Sequence, residues 1–146
     1  MSTPVNLDAS QPDGLGLPPG CHDVAWSLPA EAGSPSQART LTRHTLTAWK
    51  LEPLLDETEL LVSEVVTNAV QHGGGPIGLR FLLDRASKRL RCEVTDTSPE
   101  QPQLGDSNDE DESGRGLMIV EALADQWGST PTETGKTIWF ERTLPE

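Results

Sequence analysis

Apolar and polar side chains change rhythm several times along this chain, and each rhythm predicts an element. Residues 24–28, VAWSL, alternate in a period of two and predict a first strand. From Ser34 onward the apolar positions Ala38, Leu41, Leu46 and Trp49 fall on one helical face. A helix is therefore predicted from Ser34, as its cap, through Pro35 in the first turn to about Trp49. A second helix is predicted from around Leu54 to Asp56 up to His72. After Gly73-Gly74-Gly75-Pro76 come IGLRFLLD (77–84) and RLRCEVTD (89–96), two strands joined by a turn at ASK. GLMIVEALAD (116–125) is apolar on nearly every side and predicts a short, largely buried helix. The last strand, KTIWFERTL, sends Ile138 and Phe140 to one face and Trp139 to the other, and a short strand is expected near Trp127 to Thr130. This order predicts an α+β fold, a two-layer sandwich with helices on one face of a mixed or antiparallel sheet.

Two segments stand outside that pattern. Residues 1–20 are rich in Pro and Gly and poor in apolar anchors, and are expected to form a disordered tail ahead of one domain over 21–146. The run TSPEQPQLGDSNDEDESG is polar and acidic and supplies no core.

A length of 146 residues suits one domain with a real core. The net charge of −12 argues against direct, non-specific binding to nucleic acid, which needs clustered Lys and Arg. It also means that any phosphate site must act locally. No apolar run approaches the ~18–20 residues that span a bilayer. The N-terminus lacks the basic start and apolar centre of a secretion signal, so a cytoplasmic protein is expected. Cys21 and Cys92 are far apart in sequence and read as thiols in a reducing compartment.

One stretch of the second helix, SEVVTNAVQHGGG (63–75), carries candidate chemistry. At ~100° per residue, with Glu64 at zero, Asn68 lies near ~40° and His72 near ~80°. Leu61 and Val65 fall at ~60° and ~100°, so the polar residues border the buried face, while Ser63, Thr67 and Gln71 occupy the wet side. Such a carboxylate and amide need partners. Backbone groups of a neighbouring strand would serve; so would a metal site, since an amide oxygen suits Mg²⁺ and a carboxylate one turn away can take a proton.

A phosphate source lies further on. In SGRGLMIVEAL (113–123), Gly114 and Gly116 flank Arg115 before the apolar helix, where free N–H groups and a cation favour an anion. Asp96 closes the strand RLRCEVTD, and GKT places Gly135 at a turn with Thr137 entering the last strand. Taken in order, EVVTNAVQH, Asp96, GRGL and GKT resemble the ATP-binding domain shared by gyrase, MutL and histidine kinases, the GHKL or Bergerat fold. The similarity runs from about Val24 to Leu144 and is greatest to single-domain anti-sigma factor serine/threonine kinases.

The resemblance implies ATP and Mg²⁺ as cofactors. It implies that Asn68 helps hold Mg²⁺, that Glu64 is the general base, and that Asp96 binds the adenine amino group. Gly114 and Gly116 would line the triphosphate with Arg115 beside them, and Thr137 would lie near the adenine. A sigma factor or an anti-sigma antagonist would be the protein partner, with a homodimer typical of the family. Two departures matter. The family's DxGxG is DTSPE here, with Pro99 where a hinge is expected, and the lid, about 99–113, carries Asp106, Asp109, Glu110, Asp111 and Glu112. Two functions follow: a kinase that phosphorylates an antagonist protein, or a nucleotide-responsive binding module without turnover.

Overall fold

The computed structural model describes residues 20–72, 75–97 and 112–145, with His72 and residues 112–117 described by backbone only. The chain runs β1 (Cys21–Leu28), α1 (Ser34–Ala48), a 3-10 turn (Glu52–Leu54), α2 (Leu55–His72), β2 (Ile77–Asp84), β3 (Arg89–Asp96), α3 (Glu112–Leu123), β4 (Gln126–Pro131) and β5 (Lys136–Thr143). Of the expected disordered tail only Gly20 is described, and of the acidic lid only Glu112 and Ser113, which open α3; Gly73 and Gly74 lie outside the described residues.

The strands form one five-stranded sheet in the order β1-β2-β3-β5-β4, and every neighbouring pair is antiparallel. Of the two sheet types expected, the antiparallel one is present and the mixed one is not. The reason lies in the connections. One helix between strands returns the chain for a parallel pairing. Here two helices, α1 and α2, separate β1 from β2, so β2 comes back antiparallel. The single helix α3 does link two strands of the same direction, β3 and β4, but β5 lies between them.

Alternation along the strands separates the two faces. Ile77, Leu79, Phe81 and Leu83 of β2, Leu90, Cys92 and Val94 of β3, and Ile138 and Phe140 of β5 are buried on one face. Leu61, Val62, Val65, Val66 and Ala69 of α2 and Val120 of α3 complete this core. α2 packs against both α1 and α3. Arg39 Nη1 donates to Ser63 Oγ at 2.8 Å and Arg43 pairs with Glu59 at 2.8 Å, so α1 covers part of the side of α2 expected to be wet.

The opposite face is polar. Arg80 donates to both carboxylate oxygens of Asp23, and Arg91 joins Glu93 at 2.9 Å to Glu141 at 3.0 Å, with Arg89 on the second oxygen of Glu141 at 2.7 Å. Arg91 also lies 4.2 Å above the Trp139 ring. Solvated pairs of this kind contribute about 0–1 kcal/mol each, so they keep the face wet without carrying the fold. Cys21 and Cys92 are both free thiols, and burial pushes the Cys92 thiol well up.

Two local expectations shift. Ser34 is the first residue of α1, not its cap: Gly33 occupies that place, and the buried Ser34 hydroxyl donates to the carbonyl of Pro29. α3 opens at Glu112, four residues ahead of Gly116, and ends at Leu123, because the Asp125 amide bonds to the Glu141 carbonyl at 2.9 Å and enters the sheet. Among the described residues after α2, Gly75 is left-handed, with φ 66°.

Gly135 is fixed by contact. A Cβ there would sit 2.0 Å from the Asp96 carbonyl oxygen and 2.5 Å from Thr97 Cα, both backbone atoms that cannot swing away. Gly135→Ala should cost about 3 kcal/mol or more in thermal or urea unfolding. Gly78→Ala, whose Cβ meets Thr95 Cβ at 3.6 Å, should stay within about 0.5 kcal/mol of the parent.

Candidate functional site

The direction of each element decides which residues share an end of the sheet. Arg142, near the end of β5, donates to Glu57 in the first turn of α2, so α2 starts at the end of the sheet where β5 finishes. It then runs to His72 at the other end, where a Cβ added at Gly75 would lie 3.3 Å from the Thr97 side chain. β3 closes at that same end with Asp96, directly opposite Lys136, the first residue of β5. α3 finishes beside the start of β4, which pairs with Glu141, so its opening turns face back toward the Asp96 end. A twelve-residue helix covers ~18 Å, about two thirds of the ~26 Å of an eight-residue strand.

Asn68 and Asp96 lie toward this end. Asn68, one turn before the end of α2, is buried at 5% exposure, while Glu64, one turn earlier, is half-buried. That matches their place on the border of the apolar arc. Asp96 is 2% exposed. Gly114 falls in the first turn of α3, where amide N–H groups have no helical partner, and Arg115 and Gly116 follow within the helix instead of preceding it.

Thr137 does not join them. Its hydroxyl lies 2.8 Å from that of Thr95, its partner in the register, on the polar face of the sheet. Strand side chains alternate faces, so the residue sharing Asp96's face is Lys136. Sequence reasoning missed it. The signal was available: Ile138 and Phe140 point to the core, and counting back by two reaches Lys136, not Thr137.

Lys136 is 1% exposed, and its ammonium donates to both oxygens of Asp96, at 3.2 and 3.1 Å. Taking two charges from water is costly, and only such two-sided geometry offsets the loss. The Thr95–Thr137 hydroxyl pair and the close approach of Gly135 tie the same two strand ends together. The ends of β3 and β5 are thus fixed at side-chain and backbone level, which makes Asp96 a rigid acceptor.

Residues 28–142 match the sequence profile of the histidine kinase-like ATPase domain, from the end of β1 into β5. The chain belongs to the histidine kinase-like ATPase domain family. No curated protein matches this ATPase domain in sequence. Among solved structures it is similar to the crystal structure of the RsbU and RsbW domains of Rv1364c from Mycobacterium tuberculosis, with a TM-score of 0.64 and 20% identity. That likeness covers 84% of this chain and 32% of the other, so the ATPase domain spans about a third of that protein's chain. At this identity it speaks for the fold, an α+β sandwich of the GHKL type. No helix among the described residues of the domain is long and apolar enough to cross a membrane.

Removing Lys136 leaves the buried Asp96 carboxylate without its ammonium. Lys136→Met should destabilise the ATPase domain by about 3–5 kcal/mol. The double variant Asp96→Asn, Lys136→Met should recover a large part of that loss, because neither charge remains. Thermal unfolding of the three proteins measures it.

Proposed function

We propose that this domain binds Mg-ATP at the Asp96 end of the sheet and acts as a regulatory protein serine/threonine kinase on an antagonist protein, with a sigma factor as the controlled partner. The observation that supports this reading best is that Asn68, near the end of α2, and Asp96, at the end of β3, are both buried polar groups toward one end of the sheet. The donor set fits the groups. Asp96 offers carboxylate lone pairs to an amino group, as adenine recognition needs. The Asn68 amide oxygen is a hard ligand, and Mg²⁺ bound with a nucleotide takes most of its remaining oxygens from phosphates and water.

When bound, Mg²⁺ would supply charge neutralisation to the phosphates of the nucleotide. The protein's own part is positioning. Asp96 holds the base, Asn68 orients the metal, and the opening turn of α3 with Arg115 meets the phosphates through N–H groups and a cation. Glu64 accepts the proton of the attacking seryl or threonyl hydroxyl, whose oxygen bonds to the γ-phosphorus as the bond to the bridging oxygen breaks and ADP departs. The domain acts as a homodimer in the same proposal.

Calorimetric titration with ATP in the presence and absence of Mg²⁺ tests the binding step. Asn68→Ala should abolish the Mg²⁺-dependent gain in affinity with the fold intact. Unchanged Mg-ATP binding in that variant would mean Asn68 has no metal role. Glu64→Ala should keep ATP binding and lose transfer of labelled phosphate to the antagonist. Binding by the parent without transfer to any antagonist would replace the kinase with the nucleotide-responsive binding module, the reading that stiff Pro99 and the acidic run of the lid favour.

A further inference from the structure

We infer that the seam between α2 and α3, marked by Leu60 and Met118, is a docking surface for a basic amphipathic helix of a partner protein. The inference needs no nucleotide and stands apart from the ATP-binding reading.

The sequence of α3 is apolar on nearly every side, which predicts burial all round. Of its described side chains Val120 alone is buried, while Met118, Glu121 and Ala122 are exposed and Ile119 and Leu123 are half-buried. Among the described residues, part of this helix therefore has no apolar cover. Met118 is 56% exposed, and the other large apolar side chain left exposed, at 42%, is Leu60 of α2. Single exposed apolar residues are ordinary. These two are neighbours.

α2 begins and α3 ends at the Arg142 end of the sheet, and the two helices pack together in opposite directions. Leu60 stands five residues after Leu55 and Met118 five residues before Leu123, so both lie ~7.5 Å along their helices from that end. Rotation agrees with level. On the wheel of α2, Leu60 falls between Ser63, which meets α1, and Glu64. On α3, Glu121 accepts from the Trp127 indole of β4 at 2.6 Å, so the opposite flank, with Ile119 and Leu123, turns to α2. Those two half-buried side chains join the exposed pair into one apolar strip along the seam.

Charge decides what covers the strip. Among the described side chains of α2 and α3 there is no Lys or Arg, whereas Asp56, Glu64 and Glu121 flank the strip. The other two carboxylates of α2, Glu57 and Glu59, pair with Arg142 and Arg43. A second copy of this chain would set carboxylates against carboxylates, which like charge opposes. A helix with an apolar stripe and Lys or Arg beside it answers both features. Its ridges fit the groove between two packed helices, and the flexible thioether of Met118 adapts to its side chains. The chain's net charge of −12 draws a basic partner in from a distance.

The probe is a synthetic basic amphipathic peptide of about 18 residues, with Leu at helical spacing and Lys and Arg beside it. It is titrated into the whole chain without nucleotide and followed by calorimetry. Two controls share its length: one with Glu in place of Lys and Arg, and one with the same residues in scrambled order. The parent should bind the basic helix about tenfold or more tightly than either control, and binding should weaken as salt rises from ~0.15 M to ~1 M. Leu60→Gln and Met118→Gln should each weaken it about fivefold or more. Their melting temperatures should stay unchanged, since both side chains are exposed in the free protein. Equal binding of the scrambled peptide would reduce the surface to non-specific charge and overturn the inference. So would the absence of binding, or binding that neither substitution changes. A parent dimer that Leu60→Gln or Met118→Gln converts to a monomer in sedimentation would overturn it too, with a second copy as the occupant. None of these results bears on ATP binding, which has its own titration.

Discussion

A buried ammonium and a buried carboxylate, facing each other across the first residue of β5 and the last of β3, set the terms for this domain. Each is intolerable alone in an apolar layer, and together they pin the two central strands where the sheet meets the ends of α2 and α3. Everything at that end is arranged around the pair. Gly135 comes close because the strand ends are drawn together, Gly75 turns left-handed beside Thr97, and α2 delivers Asn68 to the same level. The far end of the sheet is held differently, by the Arg142 contact to Glu57 and the Asp125 bonds to β5, with no comparable buried pair among the described residues. The domain therefore has one chemically specialised end and one packing end.

That division also separates the two faces of the sheet. The helix-covered face is almost wholly aliphatic and aromatic until it reaches Asp96 and Lys136. The other face carries arginines and carboxylates paired among themselves, so its charges are largely cancelled locally. The considerable net negative charge of the chain is thus not concentrated on that face, and a nucleotide at the Asp96 end meets the field of that end first.

Much of this was legible from residue order. Period-two alternation located β2, β3 and β5, because one side of each faces a dry layer and any slip would bury arginines. The helical arc of α2 located the border position of Glu64 and the buried one of Asn68 for the same reason. Features set by tertiary contact were not legible. The Ser34 hydroxyl looked like a cap, but the Pro29 carbonyl is nearer to hand. α3 begins before its glycines because glycine is tolerated within a helix at a cost of only about 1 kcal/mol. Lys136 escapes a reading of the sequence because a buried lysine is unexpected until its carboxylate partner is seen across the strand. The pairing of Asp96 with Lys136 depends on β3 lying beside β5, and that adjacency follows from the insertion of β5 between β3 and β4.

The account's central claim is that nucleotide binds at the end of the sheet defined by Asp96 and Lys136. The most direct measurement is a titration of the isotope-labelled domain with Mg-ATP, followed residue by residue in amide NMR spectra. The account predicts shifts concentrated at Asn68, Thr97, Gly135, Lys136 and the opening turn of α3, with Asp125, Arg142 and the β2–β3 turn unmoved. Shifts centred on the Arg142 end, or on the arginine-bearing face around Arg91 and Trp139, would contradict it.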